Sequence, residues 1–324
     1  MAYDGRLLRL AQERYEADRT RREAELASQR EEIYAHRPRL REIQEQLRRT
    51  ASRVMAAALR RGQDPLPEIA RLREENLGLQ AERRQLLSEL GLPEDALEDT
   101  PACPLCGDTG FQGGELCRCL KTYYVEEQRR ELSRLLDLGG QSFDTFDTDW
   151  YDGQRAPGKS KSAREHMEWV YDTCVEYAHN FGKKPANLLL FGRPGLGKTH
   201  LSAAIAREVS GKGFSVVYDT AGHVFERFEA QKFGRDEADR DVERVMGCDL
   251  LILDDLGTEM LTAFVQSALY QLVNGRMIAG RSTIISTNLA PEELGQRYGA
   301  AILSRIEGGY EILPFFGEDI RRKR

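Results

Sequence analysis

Two hydrophobic patterns divide this chain. In the first hundred residues, apolar side chains recur at seven-residue intervals among Arg, Glu, Gln and Ala. Ile33, Leu40, Leu47 and Val54 form one series, with Ile43, Thr50 and Ala57 three positions further on. That is the a/d seam of a helix packed on another helix. Pro38 interrupts it and predicts a kink or restart, because proline lacks the N–H that a helix interior needs. Arg61-Gly-Gln-Asp-Pro-Leu-Pro67 reads as a turn. A second seam follows at Ile69, Leu72, Asn76, Leu79, Arg83, Leu86 and Leu90, with two polar core positions. The pattern predicts a helical hairpin or coiled coil that grips a partner, or else a solvated helical spacer, since periodicity names no ligand.

The second pattern begins near residue 160. Short apolar runs alternate with helical stretches: a helix over Glu165–Phe181, a strand over Asn187–Phe191, and a helix opening at His200. Next come a strand over Phe214–Tyr218, a charged helical stretch over Asp219–Val245, and a strand from Asp249 ending at Asp254. A helix over Phe264–Met277, a strand over Ser282–Leu289, a helix over Leu294–Ile306 and a strand over Tyr310–Phe315 complete it. Unbroken apolar strands separated by helices predict an α/β domain with a buried parallel sheet. Between the two regions lie a polar helix over Lys121–Leu138 and an aromatic-rich loop, Ser142–Tyr151. The expected organisation is a helical arm over 1–99, a cysteine knuckle over 100–122, a linker over 123–160 and a nucleotide domain over 161–324.

The chemistry sits where the apolar runs stop. After Phe191 comes Gly192-Arg193-Pro194-Gly195-Leu196-Gly197-Lys198-Thr199-His200, a G-x-x-x-x-G-K-T segment between a strand and a helix. This is the P-loop pattern. Its glycines let backbone N–H groups close around phosphates at a helix N-terminus. Lys198 brings a charge to the β- and γ-phosphates, and the Thr199 hydroxyl is a ligand for Mg²⁺. The run Leu250–Leu253 ends in Asp254-Asp255, the Walker B pattern. Asp254 is expected to hold Mg²⁺ and Asp255 to orient or deprotonate the attacking water, with Glu259 in reserve. Asn288 ends the next buried strand, within reach of the γ-phosphate or its water. The Ser142–Tyr151 aromatics are placed to wall an adenine pocket.

Cys103, Cys106, Cys117 and Cys119 fall within seventeen residues, as C-x-x-C and C-x-C pairs around a glycine-rich turn. Four soft thiolates favour structural Zn²⁺. Cys174 and Cys248 stand apart and read as core thiols.

Composition adds limits. The 324 residues carry 31% charged side chains and a net charge of -6, so any nucleic-acid binding uses a local patch. No apolar run reaches the roughly 20 residues that span a bilayer, and no signal-peptide pattern opens the sequence. A cytoplasmic protein without a membrane partner is the expectation.

Taken together, the motifs Gly192–Thr199, the "DDLGTE" segment ending at Glu259, Ser286-Thr287-Asn288 and Ser304-Arg305 resemble the AAA+ ATPases. Within them they are similar to the DnaC/DnaI-type replicative helicase loaders, with IstB-like transposition helpers as relatives. The segment "CPLCGDTGF…CRCLK" resembles the zinc-binding stretch of many loader-like proteins. The resemblance implies that Asn288 acts as sensor 1 and that Arg305 is an arginine finger reaching a neighbouring subunit. It also places Arg321 like sensor 2. It implies ATP and Mg²⁺ as ligands, self-association, a replicative helicase as partner, and single-stranded DNA contacted by the 219–245 stretch, where Phe225, Phe228 and Phe233 lie among Arg227, Lys232 and Arg235. Asp255 departs from the Asp-Glu of many AAA+ proteins, and its shorter side chain points to slow hydrolysis suited to a switch. The alternatives are a transposition helper and a non-hydrolysing adaptor that ATP locks.

Overall fold

The computed structural model describes residues 3–59, 66–136, 140–155, 158, 160–232 and 236–320. The chain forms two compact units: Arg14–Cys117, and Met1–Glu13 together with Arg118–Arg324. The first thirteen residues therefore group with the nucleotide unit.

The Arg14–Cys117 unit takes most of helix α1 (Gly5–His36), then α2 (Pro38–Leu59) and α3 (Leu66–Glu89). The predicted restart falls at Pro38, which occupies the first position of α2, where its missing N–H costs nothing. α2 and α3 pack as an antiparallel hairpin. Leu40, Ile43 and Thr50 face Leu72, Leu79 and Leu87, all buried. Arg39 clasps Glu82 through two hydrogen bonds of 2.7 and 2.9 Å on the exposed rim. Leu87, rather than the expected Leu86, is the fully buried position. The seam steps by eight residues from Leu79, as a 3.6-residue helix drifts off a strict heptad. Arg83 does not cross the seam; it donates to Glu94 O and Glu98. α3 ends in a Schellman motif: Gly91 has φ +68°, its N–H donates to Ser88 O, and Leu92 N–H donates to Leu87 O. The turn expected over 61–67 falls largely outside the described residues.

The second unit is built on a five-stranded parallel sheet in the order β4-β5-β6-β3-β7. Its strands are β3 (Leu188–Gly192), β4 (Val216–Thr220), β5 (Leu250–Leu256), β6 (Ser282–Thr287) and β7 (Glu311–Phe315). The two-stranded hairpin β1 (Phe111–Gln112) and β2 (Glu115–Leu116) belongs to the cysteine segment. Leu188–Leu190, Val216–Val217, Leu250–Leu253 and Ile284–Ile285 are buried apolar runs, because helices cover both faces of the sheet. One layer holds Met167, Val170, Leu201 and Ile205 from α5 (Ala163–Asn180) and α6 (Lys198–Gly211). The other holds Val224 and Phe225 from α7 (Ala221–Lys232), Val245 from α8 (Asp236–Gly247), and Leu269 and Leu272 from α9 (Ala263–Ile278).

The helix expected over 294–306 is two helices, α10 (Pro291–Tyr298) and α11 (Ala300–Gly309), broken at Gly299 with φ +102°. α4 (Arg118–Leu136) supplies the edge strand β4 with a substitute partner. Gln128 donates to Phe214 O at 2.8 Å and accepts from Val216 N–H at 2.8 Å. In the same unit, Asp4 caps α1 by accepting from Arg6 and Leu7 N–H, and pairs with Arg244 of α8. Arg276 of α9 is fully buried and has no carboxylate partner among the described residues; its hydrogen bonds there go to carbonyl, hydroxyl and thiol acceptors. No helix among the described residues is long and apolar enough to cross a membrane.

Candidate functional site

Strand order decides where the site lies. β3 sits between β6 and β7, yet its next strand in sequence, β4, lies at the far edge of the sheet. The crossover opens a crevice at the carboxyl ends of the strands, the usual ligand position in such sheets. The P-loop leaves β3 at that point. Gly192, Gly195 and Gly197 have φ of +146°, +78° and +85°, a region closed to ordinary side chains. Gly197 caps α6, whose first turn presents N–H groups without intrahelical acceptors.

Two flanking segments fasten the loop. Tyr151 donates to Leu196 O at 2.9 Å, and Ile320 N–H donates to Gly195 O at 3.0 Å. A methyl group on Gly197 would meet the Phe146 ring at 2.7 Å, and one on Gly195 would overlap Asp319. The Ser142–Tyr151 segment thus closes on the P-loop, with Phe146 stacked on Tyr171 and set edge-on against His200. The His200 imidazole bonds Ser142 O at 2.9 Å.

Lys198 is buried, and its Nζ donates to Gly192 O at 2.7 Å, Arg193 O at 3.0 Å and Asn288 Oδ1 at 2.8 Å. Two residues ninety positions apart, assigned to one site from sequence, therefore meet. Parallel pairing of β3 with β6 brings them there, Phe191 opposite Thr287. Thr199 is half-buried at the second position of α6.

Asp254 ends the apolar run of β5 and is 4% exposed. Burying a carboxylate is costly unless donors reach it, and two hydroxyls do. Tyr218 of β4 donates to Oδ2 at 2.7 Å, and Ser286 of β6 donates to Oδ1. Burial, and next the adjoining Asp254 charge, push the Tyr218 phenol well above its ordinary pKa, so it stays protonated. Register then slips between Leu253 and Leu256, where Asp255 takes φ +54° and is exposed between buried neighbours. A bulge re-aims a side chain in this way, and Asp is among the few residues that tolerate the left-handed region.

Glu259 is a different matter. Its carboxylate accepts from Gly257 N–H at 2.9 Å and from the Tyr298 hydroxyl, and its side chain is 6% exposed. It locks the loop after β5 and is not placed to serve a water; the reserve assignment is corrected. Within the 219–245 stretch, the expectation is corrected for Phe225 and Phe228. Phe225 and Phe228 lie in the core beneath α7, so they cannot stack on bases. Arg227 is paired with Asp219. Phe233, Arg235 and Arg321 lie outside the described residues. Arg305 is exposed on α11, beside the buried stripe of Ile302 and Ile306, and has no ion pair among the described residues.

The Sγ atoms of Cys103, Cys106, Cys117 and Cys119 lie within 4.8 Å of one another, and Cys103 and Cys117 are 3.7 Å apart. Tetrahedral zinc with Zn–S near 2.3 Å sets sulfurs about 3.8 Å apart, so the four fit that ion. The fold around them is local. Asp108, at φ +59°, accepts from the N–H groups of Ala102 and Cys103, and the β1–β2 hairpin turns through Gly113 and Gly114 to return Cys117.

Sequence reasoning missed the two hydroxyls on Asp254. Tyr218 and Ser286 read only as strand residues. The available signal was a polar group on a buried strand beside Asp254, and it needed the strand order to be seen.

Residues 177–324 match the family model of IstB-like ATP binding proteins. Among curated proteins, the replicative helicase loader DnaC of Buchnera aphidicola subsp. Baizongia pistaciae is 29% identical over 151 residues, 46% of this chain and 61% of that protein. DnaC of Escherichia coli K12 is 28% identical over 153 residues, 46% of this chain and 61% of that protein. The nucleotide unit is therefore similar to IstB-like ATP binding proteins and to the DnaC replicative helicase loaders. The nucleotide unit also resembles solved structures of the DnaC helicase loader (24% identity, TM-score 0.44, 54% of this chain and 98% of that one) and of DnaI (21%, TM-score 0.45, 59% and 93%). This chain spans about three-fifths of the length of the curated relatives it matches, 61% for both DnaC proteins.

Proposed function

We propose that the chain is an ATP-switched loader that handles a replicative DNA helicase. The observation that carries the reading is the Lys198–Asn288 contact at 2.8 Å beside the doubly held Asp254, in a domain related over some 150 residues to proteins named replicative helicase loaders.

In this reading the P-loop N–H groups hold the phosphates and Lys198 balances their charge. Thr199 and Asp254 would hold Mg²⁺, which would neutralise phosphate charge. Asp255 orients the attacking water and takes its proton as the water oxygen bonds to the γ-phosphorus and the bond to ADP breaks. Asn288 steadies the γ-phosphate, and Phe146 and Tyr151 form the adenine side. Arg305 of a second copy completes the site, a contribution of about 10³–10⁵ in rate for such fingers. Asp255 is one methylene shorter than Glu, which suits slow turnover. Zn²⁺ on the four cysteines closes the knuckle, and the arm with the knuckle grips the helicase. Single-stranded DNA is contacted through surfaces other than Phe225 and Phe228.

The IstB-like family match favours a second reading, a helper that delivers duplex DNA to a transposase. Gel filtration of the chain with the host's replicative helicase, in ATP-Mg and in ADP-Mg, separates them. The loader reading expects a complex whose yield depends on the nucleotide and is altered by Lys198→Ala. It fails if neither nucleotide supports a complex, and a transposase recovered by pulldown from the native host establishes the second.

A further inference from the structure

Tyr218 belongs to β4, an edge strand that carries no motif residue, and it is 2% exposed. Its hydroxyl has one proton and donates it to Asp254 Oδ2 at 2.7 Å. From the opposite strand, the Ser286 hydroxyl donates to Asp254 Oδ1 and accepts from Asp255 N–H at 3.2 Å. Hydroxyl donors on both oxygens, from strands on either side, leave the carboxylate a single orientation. Oδ1 also accepts from Asp255 N–H at 3.1 Å, while Oδ2 keeps a second lone pair for an ion or for water bound to it. β5 pairs with both strands in register, Tyr218 opposite Ile252 and Leu253 opposite Ile285, so the clamp is a product of the sheet.

We infer that Tyr218, together with Ser286, is a positioning residue for Mg²⁺: it holds Asp254 in the orientation that serves the ion of a bound nucleotide, and so ties edge strand β4 to the site. The inference rests on the ATP-Mg reading above. Neighbouring groups that orient a metal's own ligands are worth about 10–100-fold in metal affinity.

Tyr218→Phe removes the donor and keeps the ring in its packing, so it separates positioning from core structure. The probe is a fluorescent ATP analogue, titrated with MgCl₂ and, separately, in EDTA. The expected result is a half-saturating Mg²⁺ concentration raised about tenfold or more. Binding in EDTA and the unfolding midpoint stay close to the parent's, and excess Mg²⁺ restores binding. Ser286→Ala moves the Mg²⁺ curve in the same direction. A Tyr218→Phe curve superimposed on a Mg²⁺-dependent parent overturns this inference alone, as does equal weakening with and without Mg²⁺. A parent whose ATP binding ignores Mg²⁺ overturns the functional reading, and this inference with it.

Discussion

Arg276→Met tests whether one buried side chain holds the nucleotide unit's central strands in place. Arg276 has no exposed surface. Its guanidinium donates to Val245 O at 2.7 Å, Met246 O at 3.1 Å and Cys248 O at 3.1 Å, to Ser282 O at 2.6 Å, and to Thr283 Oγ1 at 3.0 Å. The first three are the carbonyls where α8 ends and β5 begins; the last two open β6. The same strands carry Asp254 and Asn288 at their other ends. Methionine fills the space but donates nothing, so the buried carbonyls of Val245, Cys248 and Ser282 lose a partner, at about 1–3 kcal/mol each. Relief from dehydrating the guanidinium offsets part of the roughly 3–9 kcal/mol that three such carbonyls cost, leaving about 3–5 kcal/mol net. For a domain of this size, each kcal/mol is about 2–4 °C, so the unfolding midpoint falls by about 6–20 °C. Calorimetry and far-ultraviolet circular dichroism on the full chain measure it. A fall of less than about 3 °C refutes the reasoning, because the carbonyls then find water or other donors by themselves.

Three further outcomes follow from the geometry. Purified protein contains about one zinc per chain, and Cys103→Ser with Cys106→Ser abolishes it; full zinc in that variant removes the site. Glu165 is held low, at a pKa of about 2, by the Arg155 hydrogen bond and then by Ser162 N–H. Its contribution is therefore present above the ordinary carboxylate range and disappears as pH falls toward 2, and the melting difference between parent and Glu165→Gln should shrink over that window. Gln128→Leu leaves Val216 N–H and Phe214 O unmatched, costing about 1–3 kcal/mol. Amide exchange at Val216 then speeds up, and unchanged exchange contradicts the edge-strand role.

The P-loop and Asp254 were legible because each is a local event, an apolar run ending in residues that no buried strand tolerates for packing alone. Asn288 was legible for the same reason. The cysteine cluster was visible as spacing. What stayed hidden was set by pairing between distant segments. Nothing near Tyr218 in sequence marks it as Asp254's partner, and nothing near Arg276 marks the helix end it caps. Phe225 and Phe228 misled because aromatics among charges look the same on a DNA-binding face and on the inner face of an amphipathic helix. Gly299 broke one expected helix into two through a backbone angle that apolar spacing does not encode. Leu87 replaced Leu86 because a heptad template ignores the drift of a straight helix.

The nucleotide site proposed above is shared between copies of this chain, and phosphate release from mixed variants reads that sharing. Lys198→Ala lacks a working P-loop but keeps Arg305; Arg305→Ala keeps the P-loop but lacks the finger. Each alone should be nearly inactive. Mixed in equal amounts they should regain ATP turnover, since the intact P-loop of one chain meets the intact arginine of the other. A mixture as inactive as its components, or Arg305→Ala turning over at the parent's rate, would contradict the account.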